Sequence, residues 1–455
     1  MVSSLFGKNA TPFNKIRAEI RFSSKTKARW VLAAVSFILG LSSSCASSES
    51  LSLLTERSAI EASIRSNPNL AEIRERYLAL LEIPSQVGTL PDPVISFNAM
   101  NLPVDSFDRD QEGMTQLQLG ISQTFPFPGK LALKQEAARY DAVAVGHSVE
   151  EARLNLIAQV RTRWWNLHYI DRALETINAN KALLNQFITV AETKYETGKG
   201  LQQDVLLAQL ELSRLLDREI HLQSLRRQQA ISLNVLMDRS TQTAITLPTS
   251  EATSLPVLID ESALFERATL LKPRLKQMAT RVDAANTRLD LAKRDYYPDF
   301  QLGIAYGDRV GDNPAPMSDS RSDIFSVMLG VKIPLYVARK QSRAVEQKAR
   351  ELQRSRYALI DERNQIMASI SSAVTDYDRA SKQFVLYGSG IVPQAQQTVR
   401  SMLAGYQVSE VDFLNLVRSQ MTLLNYELQY WKSLTDANEA LARLKAAVGE
   451  ESVYE

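Results

Sequence analysis

The side chains that could do nucleophilic, acid-base or metal chemistry are few and far apart in this sequence. The three histidines, His147, His168 and His221, and the single cysteine, Cys45, lie on separate stretches, whereas a zinc site needs three or four ligands brought together. We find no glycine-rich phosphate loop and no set of nucleophile, base and orienting acid. The sequence therefore predicts no catalytic, cofactor-binding or metal-binding residues, and it disfavours a hydrolase.

The N-terminus, residues 1–46, is typical of an export signal. The apolar run from Trp30 to Leu41 is short for a transmembrane helix, and small residues follow it. It is preceded by the basic residues Arg17, Arg21, Lys25, Lys27 and Arg29. Cys45 lies where a lipoprotein signal places the residue that becomes acylated. The alternative is ordinary cleavage at Ala46, which removes Cys45, and Ser42 departs from the lipoprotein pattern. In either case no disulfide is expected in the exported chain.

The charge balance argues against nucleic acid as a partner. The 455 residues include 53 Lys and Arg and 51 Asp and Glu, for a formal charge of +2. Neither sign dominates a long block after the N-terminus, whereas nucleic-acid binding needs a basic surface.

The chain contains an internal repeat, with a first copy at 51–238 and a second at 262–449. Each copy reads as a helix, two strands, a very long helix, a turn and another helix. Residues 239–261, rich in Thr, Ser and Pro, form the linker, and residues 450–455 form a short tail. The helical pattern from Gly129 to Thr197 predicts a helix of roughly 100 Å, which must pack along other helices. We expect Gly388, Gly390 and Pro393 to bend or break its counterpart.

The four predicted strands alternate between apolar and polar or small residues. Leu119 and Val327 lie on the apolar faces, and Gln118 and Met328 lie on the polar faces. Such alternation is typical of a β-barrel with a lipid-facing exterior and a wet interior, although two hairpins capping a soluble helical domain are the alternative. Because four strands leave open edges, which lipid does not tolerate, copies must combine. We predict a mainly α protein whose long helical barrel joins a β-barrel that is completed by oligomerisation, with twelve strands in a trimer.

The chain resembles the TolC-like outer-membrane efflux family from about Leu51 to Gly449. The resemblance rests on the repeat, the YETG motif from Tyr195 to Gly198, the PDF strand start at Pro298 and the joint FPFPGK ending at Lys130. It implies a homotrimer in outer-membrane lipid that serves a periplasmic adaptor and an inner-membrane pump. The joint and the segment after Gly405 look most like the heavy-metal branch, the CzcC or CusC type, which implies cation export. Drug efflux, type I protein secretion and, further off, an adaptor-like helical protein are the alternatives.

The resemblance also implies a site at the periplasmic tip. It places Asp204 and Tyr406 where relatives have a carboxylate and a tyrosine that hold a closed entrance together, and it places adaptor contacts near two turns. Ser409 replaces a tip glycine, and Asn415 and Arg418 replace lumenal aspartates, so any acidic ring must come from Glu410 or Asp412. The predicted gating residues are Asp204, Tyr406, Glu410, Asp412, Asn415 and Arg418, and the predicted adaptor contacts are Tyr195, Gly198 and Ser409. The alternative is that all of them are solvated helix ends.

Overall fold

The computed structural model describes residues 53–249, 254–313 and 315–454. The export signal and Cys45 lie outside the described residues. Within these ranges the chain is mostly helical. The α-helices are α1 (Glu56–Ser66), α2 (Pro68–Leu81), α3 (Ile83–Gly88), α4 (Lys130–Glu196), α5 (Gln202–Leu236), α6 (Glu261–Leu271), α7 (Pro273–Arg294), α8 (Gln341–Leu386), α9 (Val392–Gln407) and α10 (Phe413–Val448). No helix in the described ranges has the length and apolar character of a membrane span.

Four strands form one antiparallel sheet in the order β1-β2-β3-β4. The strands are β1 (Val94–Met100), β2 (Gln116–Phe125), β3 (Asp299–Asp308) and β4 (Ile324–Lys332). β2 pairs with β3, so strands from the two halves of the chain meet at the centre of the sheet. β1 and β4 each have only one neighbour, which leaves both edges of the sheet open.

The register confirms the predicted alternation of faces. Leu119 pairs with Phe97 on one side and Tyr306 on the other, and Ile304 pairs with Val327. Because directly paired residues point to the same face, these side chains share one surface, and they are exposed in the single chain. The opposite face carries Gln118, Met328 and their polar or small neighbours.

A short polar network fixes the joint between the sheet and α4. The Lys130 ammonium donates to Asp299 Oδ1 at 2.9 Å and to the Tyr297 carbonyl at 3.0 Å, and it lies 3.5 Å from Asp295. The Phe127 amide also donates to Asp299 Oδ1 at 2.9 Å, and the Phe127 ring stacks on Tyr297 at 4.5 Å. The FPFPGK joint of the first repeat is therefore bound to the helix-to-strand joint of the second.

The 67-residue helix α4 is backed by pairs of shorter helices stacked end to end. It packs along α5 and α2 on one side and along α10 and α7 on the other. At the first stacking point the side-chain amide of Asn67 donates to the Leu236 carbonyl at 3.0 Å. At the second, the Lys272 ammonium donates to the Ala446 carbonyl at 2.7 Å and to Glu151 Oε1 at 2.7 Å. These donors satisfy carbonyls at helix ends that would otherwise lack partners.

The counterpart of α4 in the second repeat is interrupted, as the sequence predicts. A π-helical segment, Tyr387–Ile391, joins α8 to α9, and the Val392 amide donates to the Tyr387 carbonyl across it. Proline has no amide hydrogen and crowds the carbonyl four residues earlier, so Pro393 favours this wider turn. A Cβ on Gly388 would lie 2.9 Å from the Tyr430 ring, which accounts for the glycine.

The helical interior contains Trp164, Trp165 and His168 as packing residues. The Trp164 indole is buried and donates to the Leu54 carbonyl at 2.9 Å. His168 stacks on Trp164, and burial, followed by the nearby Arg172 guanidinium, lowers the pKa of His168 to about 4. His168 is therefore a neutral core residue at neutral pH. Within the described ranges no three His, Cys, Asp or Glu side chains are grouped as metal ligands.

Candidate functional site at the helical tip

Two turns at the end of the long helices share the same backbone hydrogen bonds. In the first turn the amides of Thr197, Gly198 and Lys199 donate to the carbonyls of Thr193, Tyr195 and Lys194. In the second, the amides of Val408, Ser409 and Glu410 donate to the carbonyls of Ala404, Tyr406 and Gly405. Each turn contains one left-handed residue, Gly198 with φ +73° and Ser409 with φ +65°.

This match fixes which tip residues are equivalent in the two repeats. Tyr195 corresponds to Tyr406, and Asp204 corresponds to Asn415, whose amides donate to the carbonyls of Leu201 and Asp412, both at 3.1 Å. Left-handed backbone strains residues other than glycine. Ser409 adopts it because the turn requires it there, so the serine keeps the geometry of the glycine that it replaces.

The structure brings Asp204 and Tyr406 into contact. The Tyr406 hydroxyl donates to Asp204 Oδ2 at 3.4 Å, a long hydrogen bond. Tyr406 is only 5 % exposed, and its ring lies 5.1 Å from that of Phe413. The pair thus joins the tip of the second repeat to the start of α5 in the first.

Lys194 is a third member of this site, and sequence reasoning missed it. Its ammonium donates to the Tyr406 carbonyl and, at 3.0 Å, to Ser409 Oγ. It also lies 4.3 Å from the centre of the Tyr406 ring, within the range of a cation–π contact. Lys194 stands one residue before the YETG motif, but its partners are about 212 positions later, so no local pattern identifies it.

The electrostatics of the tip make Asp204 sensitive to pH. Burial, reinforced by the Asp412 carboxylate, raises the pKa of Asp204 above its ordinary 3.8, although the Tyr406 hydroxyl, the Leu201 backbone and the Lys194 ammonium oppose the shift. Burial and the nearby Asp204 raise the pKa of Tyr406 to about 12. Tyr406 therefore remains a hydrogen-bond donor at every physiological pH.

We expect the packed tip to loosen as pH rises through the acid range. Because the pKa of Asp204 is higher in the packed state than in the loosened state, protonation of Asp204 stabilises the packed state. This stabilisation is full at a pH below the ordinary pKa of an aspartate and is lost as the pH rises through the raised pKa. If the tip is the gate of a channel, open probability in planar bilayers should increase from about pH 4 upward and then level off. Asp204→Asn should remove this dependence.

Glu192→Gln is the matched control, because Glu192 is an exposed carboxyl on the last turns of α4. It should retain the pH dependence of the native chain. The same pH dependence in Asp204→Asn would exclude Asp204 as the titrating group.

The other predicted tip residues are exposed, and of these only Ser409 bonds to the cluster, through Lys194. Tyr195, Gly198, Ser409, Glu410, Asp412, Asn415 and Arg418 lie on the surface of the two turns or of the first turns of α10. Asp412 acts on the site only through its field on Asp204. An acidic ring built from Glu410 or Asp412 would need other copies of the chain and stays a prediction.

The arrangement of helices and strands matches that of solved outer-membrane channels. The chain resembles the outer-membrane channel OprN with a TM-score of 0.73 and 15 % identity, over 87 % of this chain and 89 % of that one. It resembles CusC with a TM-score of 0.70 and 15 % identity, over 87 % and 92 % of the two chains. At such low identity these matches show a shared fold.

Sequence comparison points the same way. The chain is 23 % identical over 303 residues to the outer membrane protein TolC of Vibrio cholerae, a match that spans 64 % of each protein. The model of the outer membrane efflux protein family matches residues 92–238 and 264–450, which together contain both strand pairs and all the long helices. The chain therefore belongs to the outer membrane efflux protein family.

Proposed function

We propose that three copies of this chain form an exit channel that passively conducts substrate out of the periplasm, supplied by an inner-membrane pump through a periplasmic adaptor. The observation that carries this proposal is the open sheet. Its edges, β1 and β4, have unpaired backbone groups, which lipid does not tolerate. Joining β4 of one copy to β1 of the next closes a barrel of twelve strands.

The two faces of the sheet support this arrangement. The apolar side chains on one face suit contact with lipid, and the polar and small side chains on the other suit a wet interior. Eight strands from two copies would enclose an interior filled by side chains, whereas twelve leave a passage. The long helices continue that passage into the periplasm.

The mass of the native particle and its conductance test the proposal together. Protein extracted in mild detergent should have the mass of three chains and should form conducting pores in planar bilayers. A stable monomer with its four strands intact would overturn the proposal, as would a trimer that conducts no ions under any condition.

Spin labels on the strands should distinguish the two faces. Labels at Leu119 and Val327 should be quenched by lipid-soluble reagents, and labels at Gln118 and Met328 by water-soluble ones, because these pairs lie on opposite faces. Electron paramagnetic resonance on reconstituted protein measures this directly. The reverse pattern would place the polar face toward lipid and would contradict the barrel.

We infer that the substrate is a heavy-metal cation. This finer statement is supported by the resemblance of the FPFPGK joint and of the segment after Gly405 to the heavy-metal branch. Cells lacking the protein should become more sensitive to transition-metal salts and should recover when it is restored. Sensitivity to organic drugs with unchanged metal tolerance would point to a drug-efflux channel instead.

A further inference from the structure

Apolar side chains line an unpartnered face of α5. Leu206, Leu210 and Ile220 are all exposed, Leu206 to 57 %. In the correspondence that matches Asp204 with Asn415, Leu206 and Leu210 match Val417 and Met421 of α10. Val417 is 3 % exposed and Met421 is partly buried, because this face of α10 packs along α4. The same face is thus covered in one repeat and bare in the other.

A second bare surface lies on α8. Val385 of α8 is 60 % exposed, whereas its equivalent, Leu174 of α4, packs against the core that α4 shares with α10. The two bare surfaces are therefore the counterparts of the two surfaces that already meet within the chain. One interface between the repeats is formed, and the matching interface lacks its partner.

A second copy of the chain supplies what each surface lacks. Within the chain, the interface between the repeats is formed by α4 and Asp204 of the first repeat and by α10 and Tyr406 of the second. Each of these elements has an equivalent in the other repeat. The equivalent of α4 is α8 together with α9, and the equivalent of Asp204 is Asn415. The equivalents of α10 and Tyr406 are α5 and Tyr195, which another copy would supply. We propose that Tyr195 of one copy packs on Asn415 of the next copy, and that α5 of the first copy covers α8 and α9 of the second.

This inference rests on the proposed oligomer and adds a difference between its two kinds of contact. The contact within the chain is charged, because it contains Asp204 and Lys194. The contact between copies lacks both of these charges, because Asn415 replaces the aspartate and Gly405 replaces the lysine. Tyr195, 48 % exposed in the single chain, is the residue that the neighbour should bury.

Thiol cross-linking tests the contact between copies. We would use a short bismaleimide, because a tyrosine side chain separates the two backbones too widely for a disulfide. Full-length protein carrying both Tyr195→Cys and Asn415→Cys should give covalent dimers and trimers on denaturing gels. The unmodified chain, with Cys45 alone, and each single variant should give only monomers.

A matched pair distinguishes the two kinds of contact. Protein carrying both Asp204→Cys and Tyr406→Cys should take up one bismaleimide per chain and still run as a monomer on denaturing gels, since both residues belong to one chain. The native mass of every variant is measured beside the gels. A trimer in which Tyr195→Cys and Asn415→Cys give no covalent oligomer would overturn the proposed contact alone, whereas a monomer would overturn the proposed function as well.

Discussion

Lys130→Met is expected to lower the free energy of unfolding by about 3 kcal/mol, which is roughly a hundredfold in the unfolding equilibrium. The Lys130 side chain is only 7 % exposed, and it bonds Asp299 and the Tyr297 carbonyl. Its loss leaves a carboxylate without its buried cation, and the penalty for that is larger than the net stabilisation of an intact pair. Asp299 keeps some contact with water, so we expect the lower end of the usual range.

Urea unfolding of the detergent-solubilised protein, at fixed protein concentration, measures this loss. Lys134→Met is the control, since Lys134 lies one turn further along α4 and is exposed. It should shift the midpoint little. Equal shifts in both variants would mean that the network at the joint does not hold the sheet to the helices.

Lys194→Met is expected to shift the tip toward its open state by about 2 kcal/mol, or roughly thirtyfold. The substitution keeps most of the apolar stem but removes two charge-assisted hydrogen bonds and the contact with the Tyr406 ring. Tyr406→Phe should have a smaller effect, because its hydroxyl makes one long bond to Asp204. Open probability in planar bilayers reports both changes.

Lys199→Met serves as the control, because Lys199 is exposed on the same turn. The double variant with Lys194→Met and Tyr406→Phe should fall short of the sum of the single effects, since the two residues contact each other. Full additivity would show that they act on separate steps. Native conductance in Lys194→Met, with normal trimers, would remove this lysine from the gate.

The elements of this fold are readable from sequence because their patterns are local and long. The alternation around Leu119 and Val327 determines which side of each strand is apolar, and the structure confirms it. The spacing of apolar residues from Gly129 to Thr197 predicts α4 with nearly the observed bounds. The short helices α1 and α6 were missed, although their N-cap residues Thr55 and Asp260 are signals that could have identified them.

The contacts that hold the elements together could not be read in this way. Lys130 and Asp299 are adjacent only because β2 pairs with β3, and Lys194 reaches Tyr406 only after both hairpins have formed. Each contact depends on where elements distant in sequence are placed, and no periodicity encodes that. The internal repeat is the exception, since it relates Tyr195 to Tyr406 before any coordinates are known, but the shared turn geometry is needed to fix the correspondence residue by residue.

The π-helical segment Tyr387–Ile391 makes the two repeats mechanically unlike. The first repeat presents α4 as one continuous rod, whereas the second carries a π-helical turn between α8 and α9, a kind of turn at which helices bend. In a ring of three copies, stiff and jointed hairpins would alternate, so only three of the six would swing. A channel built in this way has three gates that open one at a time, so its single-channel current should rise in three steps.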